Sequence, residues 1–260
     1  RANSGSREER RSARSILVTM GLAAKLDQQA RRVILFLLLA TLALQISWVL
    51  PLFGVAQTPA ARHLVRMVIK WFLFVVFIRM MRSGTAGLGW RELGFRNDGW
   101  RDRAKQLGLA VALTAPVAVV FAASPTLQNL VLRNLDGGAA GTMPGSAGHL
   151  FGNIFGIMFG SIIFGIIAVA FTAAFVEELF WRGYALAVLP ARVGLFGAVT
   201  IASALFALTH TYLGLSAVVL TFGGGIALSL VYWWRRSLLL NIAIHFLSDV
   251  AAPIYVLSKL

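Results

Sequence analysis

Cysteine is absent from this 260-residue chain, which removes disulfides, thiolate nucleophiles and cysteine-bound metals from consideration. Charge is scarce too. Only 13% of residues are Asp, Glu, Lys or Arg, about half the share usual in soluble domains. Acidic residues are the scarcer sign, 10 against 24 basic ones, and between Asp136 and Asp249 they occur only as the doublet Glu177–Glu178. The apolar stretches lack the period-two alternation of an outer-membrane barrel. No solenoid-type repeat is present, and the zinc-protease signature H-E-x-x-H does not occur.

What is there is mostly apolar, at 58% of the chain. Runs long enough to cross a hydrocarbon core of about 30 Å recur from Val33 to Leu257. Every backbone polar group in lipid must be paired internally, so these runs are expected to be helices. The fold class expected is an all-α, polytopic transmembrane bundle of about seven spans. The spans fall near Val33–Phe53, His63–Met81, Gln106–Ala123, one or two elements within His149–Leu189, then Gly194–Thr211, Leu215–Trp234 and Leu238–Leu257. Gly152, Gly156, Gly160 and Gly165 give the long stretch a small-residue spacing suited to close helix packing.

The organisation expected is a disordered basic tail over residues 1–30, transmembrane helices and loops over 31–148, and a core bearing the chemistry over 149–260. The tail "RANSGSREERRSARS" carries no folding pattern and is not a cleavable signal. The net charge of +14 does not point to nucleic acid, because the basic residues cluster between apolar runs. The tail, the basic loop from Arg82 to Lys105, Arg192 and Arg235–Arg236 fall on one side under alternating crossings. That places the N-terminus in the cytoplasm of a cell whose inner membrane holds the chain. Abundant arginine, alanine and glycine suggest a GC-rich bacterial genome.

An ionisable group at membrane depth is costly and marks a functional site by default. In the C-terminal half these groups are Glu177, Glu178, Arg182, His210, His245 and Asp249. Glu178 and Arg182 are four apart and share a helix face, so they are expected to pair. Glu177 projects about 100° away and has no local partner, which leaves it available as a general base. Phe206 lies one turn before His210. Asn241, His245 and Asp249 form a polar stripe along an apolar span, tolerated only beside a wet cavity.

A free glutamate and two histidines on three helices suit water activation with donors facing a tetrahedral oxyanion. No serine stands beside a base, which disfavours a covalent nucleophile. Glu177, His210 and His245 also make up a His₂Glu zinc set, and spacing does not decide between metal-free and zinc-assisted water. For the three to meet, the helix of Glu177 must continue to about Leu189.

"EELFWR" (Glu177, Glu178, Arg182) resembles the EExxxR motif of the CPBP family of intramembrane proteases, also called the Abi or type II CAAX prenyl endopeptidase family. "FALTH" (Phe206, His210) is similar to its FxxxH motif, and "HFLSD" (His245, Asp249) to its HxxxN/D motif, all in family order over Phe171–Ala251. The resemblance implies an endopeptidase acting near the cytoplasmic face. Glu177 would be the water-activating base, aided by His210, with His245 and residue 249 facing the oxyanion, and Glu178 and Arg182 in support. Implied partners are membrane lipids and a membrane-associated, lipidated substrate, processed in CAAX fashion or in a bacteriocin-immunity role. The family has been read both as zinc-dependent and as metal-free.

One residue departs from the prenyl-endopeptidase pattern. Asp249 stands where that branch has Asn, and an ionised carboxylate accepts hydrogen bonds without donating any. Asp249 is therefore expected to orient His245 or a metal, and Asn241 is a further source of an amide. The alternatives to a peptidase are a proton-coupled transporter using the same groups as a relay and a non-catalytic membrane partner or immunity protein.

Overall fold

Spanning length and internal pairing dictate helices, and helices are what form. The computed structural model describes residues 5–54, 59–83, 88–96, 99–124 and 162–258, and among these no strand occurs. In chain order the elements are α1 (Gly5–Val49), a 3₁₀ turn (Leu50–Phe53), α2 (Pro59–Arg82), α3 (Trp100–Ala123) and α4 (Ile162–Glu178). A π-helical turn (Leu179–Tyr184) leads into α5 (Ala185–Val188), followed by α6 (Pro190–Leu208), a second 3₁₀ turn (Thr211–Leu213), α7 (Leu215–Arg235) and α8 (Leu238–Leu257).

Among the described residues, four helices are long and apolar enough to cross a membrane: Asp27–Val49, Pro190–Leu208, Leu215–Arg235 and Leu238–Tyr255. The chain is an integral membrane protein. The second and third expected spans correspond to α2 and α3, of 24 residues each. The first part of the stretch from His149, with Gly152, Gly156 and Gly160, lies outside the described residues.

One expectation needs correction. Helix α1 begins at Gly5, inside the segment 1–30 expected as a disordered tail. Nucleating a helix is costly whereas extending one is cheap, and the Asp27–Val49 span supplies the nucleus for a run rich in Arg, Glu and Ala. Asp27 then pairs with Arg192 at the head of α6.

Association between helices in lipid relies on packing and on small residues, because lipid tails are as apolar as leucine. Helix α8 packs on α3 and α4, α6 packs on α7, and α1 contacts α2, α5 and α6. At their junction Phe36 meets Phe180 edge-on at 4.9 Å and Phe77 meets Tyr184 at 5.2 Å. A Cβ on Gly225 of α7 would lie 3.0 Å from the Ser203 Cβ of α6, so the absent side chain sets the closeness of that pair. The turn in "WRELGFR" docks on the start of α8, where the Leu238 N–H donates to Gly94 O at 3.0 Å. Gly94 has φ +90, and a Cβ there would meet Tyr232 at 2.9 Å.

Candidate active site

The acidic doublet ends α4, and the next turn is π-helical, with the Ala185 N–H reaching back to Phe180 O. A π turn adds a residue to the helical repeat and re-phases the side chains that follow, an arrangement frequent at functional sites. The chain nevertheless stays helical through Val188 and α6 starts at Pro190. This is the continuation to about Leu189 that the meeting of the three helices required.

Glu178 is completely buried, and every partner it has is a donor. Arg182 Nη1 donates to its Oε1 at 2.7 Å, His245 Nδ1 donates to the same oxygen at 2.8 Å, and Asn241 Nδ2 donates to Oε2 at 3.2 Å. A carboxylate facing a guanidinium only accepts, so Nδ1 of His245 carries the proton of that bond. Arg182 also donates to Gly225 O at 3.3 Å and lies 4.5 Å above the Phe206 ring. Such a buried network offsets its desolvation through its connections, although Arg182 Nε and Asn241 Oδ1 are left without a hydrogen-bond partner.

Glu177 is buried to 2% exposure and faces the other way, into a cavity of about 280 Å³. The walls include His63, Arg66, Lys70, Thr172, Phe206, His210, Tyr212, His245 and Asp249. That volume lies at the small end of ligand pockets, which start at about 300 Å³, and leaves room for several waters at about 30 Å³ each. Glu177, His210 and His245 thus converge on one cavity from α4, from the end of α6 and from α8. His245 Nε2 stands 3.8 Å from Glu177 Oε2 and 3.4 Å from Asp249 Oδ2.

The two oxygens of Glu177 differ. Lys70 Nζ of α2 forms an ion pair with Oε1 at 2.6 Å, whereas the near group on Oε2 is His245 Nε2 at 3.8 Å and no hydrogen bond reaches that oxygen. The reading that Glu177 has no partner holds only within its own helix. The partner comes from a span more than a hundred residues earlier, where sequence spacing carries no information. A lysine in mid-span was the available signal, since such a residue is as costly as a buried glutamate.

His210 is set by its own helix end. Its Nδ1 lies 3.1 Å from Phe206 O, and a carbonyl only accepts, so Nδ1–H is the donor and Nε2 keeps its lone pair. The Phe206 ring touches both imidazoles, centroid to centroid at 4.9 Å for His210 and 6.1 Å for His245. Below it Arg66, 4% exposed, donates to Leu44 O at 3.1 Å and Thr209 O at 2.8 Å and lies 4.0 Å over Tyr212. Arg66 therefore ties α1 and α2 to the turn that presents His210. The cavity wall thus draws on α2 as well as on the C-terminal helices.

Asn241 is not the source of an oxyanion-facing amide. Its Nδ2 already donates to Glu178 Oε2 and to Leu228 O at 2.7 Å, and it does not line the cavity. Among the described residues no three His, Asp or Glu side chains form a metal-ligating group. Lys70 sits on Oε1 of Glu177, and His245 gives its Nδ1–H to Glu178, a bond that also supports an imidazole holding a metal through its other nitrogen.

Comparison with curated proteins and with solved structures gives no match. Residues 159–251, which hold all three polar motifs, match the family model described as Rce1-like, type II CAAX prenyl endopeptidase Rce1-like. The motif-bearing segment of this membrane protein is thus similar to Rce1-like domains, the family that its motifs resemble.

Proposed function

We propose that the protein is an intramembrane endopeptidase that hydrolyses peptide bonds with a glutamate-activated water and no metal. The observation that carries this reading is the division of Glu177: one oxygen anchored on Lys70, the other unbonded and facing a cavity lined by two imidazoles. A water on Oε2 would give up a proton there and attack the scissile carbonyl carbon. His210 Nε2, an acceptor, would hold the water's second hydrogen. His245, fixed by Glu178 and flanked by Asp249, would shape the opposite wall. Collapse of the tetrahedral intermediate breaks the C–N bond as the leaving nitrogen takes the proton from Glu177.

The substrate is a membrane-associated peptide or protein, and the family match favours a lipidated C-terminal segment of CAAX type. The basic loop between α2 and α3 and the basic N-terminus favour an inner-membrane setting with that terminus in the cytoplasm and cleavage near the same face.

The test is the Glu177→Gln variant. Wild type and variant are compared in native membranes for newly formed peptide termini, and the variant is used to retain uncleaved substrate. Cleavage should fall by about 10²–10⁴-fold while the protein still inserts and folds. Identical termini in the two membranes would refute a peptidase.

A further inference from the structure

The cavity holds a base and water-holding groups, but its donors toward an oxyanion are few. Asp249 only accepts when ionised. The Asn241 amide donates to Glu178 and Leu228. His245 donates Nδ1–H to Glu178 and turns Nε2 to Asp249 Oδ2 at 3.4 Å, and His210 donates Nδ1–H to Phe206 O, which leaves His210 a lone pair on Nε2. The Arg66 guanidinium is engaged with Leu44 O, Ser47 Oγ and Thr209 O. Thr221 donates to Ala217 O.

Lys70 is different. It is buried to 8% exposure, lines the cavity, and touches the carboxylate that takes the proton. An ammonium has three N–H donors, and its contact with Glu177 Oε1 engages one of them. We infer that Lys70 is a catalytic residue, the cation that binds the oxyanion formed when water attacks the scissile carbonyl. This inference rests on the peptidase reading above and adds a role on α2, outside the matched motifs.

The charge balance supports the assignment. Before attack the negative charge beside Lys70 is on Glu177. As the water oxygen bonds to the carbonyl carbon, its proton moves to Glu177 Oε2 and the carbonyl π pair moves onto oxygen. The carboxylate becomes neutral while the oxyanion appears, so the ammonium keeps one anionic partner throughout. No buried charge is left uncompensated at any stage, which would otherwise be expensive. An interaction that strengthens as charge develops accelerates the chemical step, whereas one made equally with substrate does not.

The experiment follows Glu177-dependent termini in membranes carrying Lys70→Gln, Lys70→Arg or Lys70→Cys, with folding checked by thermal unfolding in detergent. Lys70→Gln should lower the turnover rate by about 10²–10³-fold with KM little changed, and Lys70→Arg should recover part of the loss. Because the chain has no cysteine, Lys70→Cys carries a single thiol. Alkylation with 2-bromoethylamine rebuilds an ammonium there and should restore activity at least tenfold, whereas iodoacetamide should not. This in-situ comparison keeps the idea testable even where Lys70→Gln fails to fold. Equal rescue by both reagents, turnover within threefold of wild type in Lys70→Gln, or a loss confined to KM would each overturn the assignment and leave the peptidase standing. Wild-type membranes with no Glu177-dependent termini would overturn both.

Discussion

His245 rests on Glu178, 67 residues away in sequence, through an Nδ1–Oε1 hydrogen bond of 2.8 Å. The motif glutamate next to the proposed base is therefore the anchor of a catalytic-wall imidazole. Adjacent carboxylates on one helix face opposite tasks: Glu178 looks into the protein, Glu177 into the cavity.

Breaking that anchor should be a stability defect before it is a catalytic one. Glu178→Gln leaves Arg182 buried without its anion, a loss of about 3–5 kcal/mol. Thermal unfolding in detergent should show it, and Glu178→Gln combined with Arg182→Met should unfold at a higher temperature than Glu178→Gln alone. A double variant no more stable than the single would argue against the network.

Asp249→Asn should be tolerated. The carboxylate accepts from the His245 side at 3.4 Å, and an amide keeps an acceptor there while adding a donor toward the cavity. Turnover is expected to stay within about tenfold of wild type, and the change should recover part of the activity lost in Lys70→Gln. Steady-state kinetics on the single and double variants measures the coupling.

Arg66→Leu removes charged hydrogen bonds to Leu44 O and Thr209 O, each worth about 1.5–3 kcal/mol. The expected result is a lower unfolding temperature together with reduced turnover, since the turn presenting His210 loses its tie to α1 and α2. Arg66→Lys, which retains one charge but not the fork, should fall between. Unchanged turnover in a folded Arg66→Leu protein would mean that the tie does not position His210.

Chelation separates the two water-activation chemistries. With Lys70 seated on Glu177 Oε1, incubation with 1,10-phenanthroline or EDTA should leave cleavage unaltered, and added Zn²⁺ should not stimulate it. Loss of activity on chelation with recovery on zinc addition would restore the His₂Glu alternative.

Much of the site could be read along the chain because its motifs are local. The Glu178–Arg182 pair is a consequence of residues four apart, and the stripe Asn241–His245–Asp249 follows one helix face. Lys70 and Arg66 escaped because nothing in their own segment shows which way they face; a basic residue in an apolar run looks the same whether it snorkels or meets a partner. Asn241 was placed on the right stripe, yet its partner Glu178 lies on another helix, so the amide's use was misjudged.

The amino-acid order by itself determined the membrane class, the helical form, the approximate bounds of the C-terminal helices and the residue types available for chemistry. Those follow from hydropathy over a span's length and from a helix's fixed repeat, both short-range properties. Only the tertiary structure decided that Glu177 meets Lys70, that Glu178 holds His245 and that three motifs share one cavity. Contacts between spans depend on how whole helices rotate and pack, and no periodicity within one of them records that.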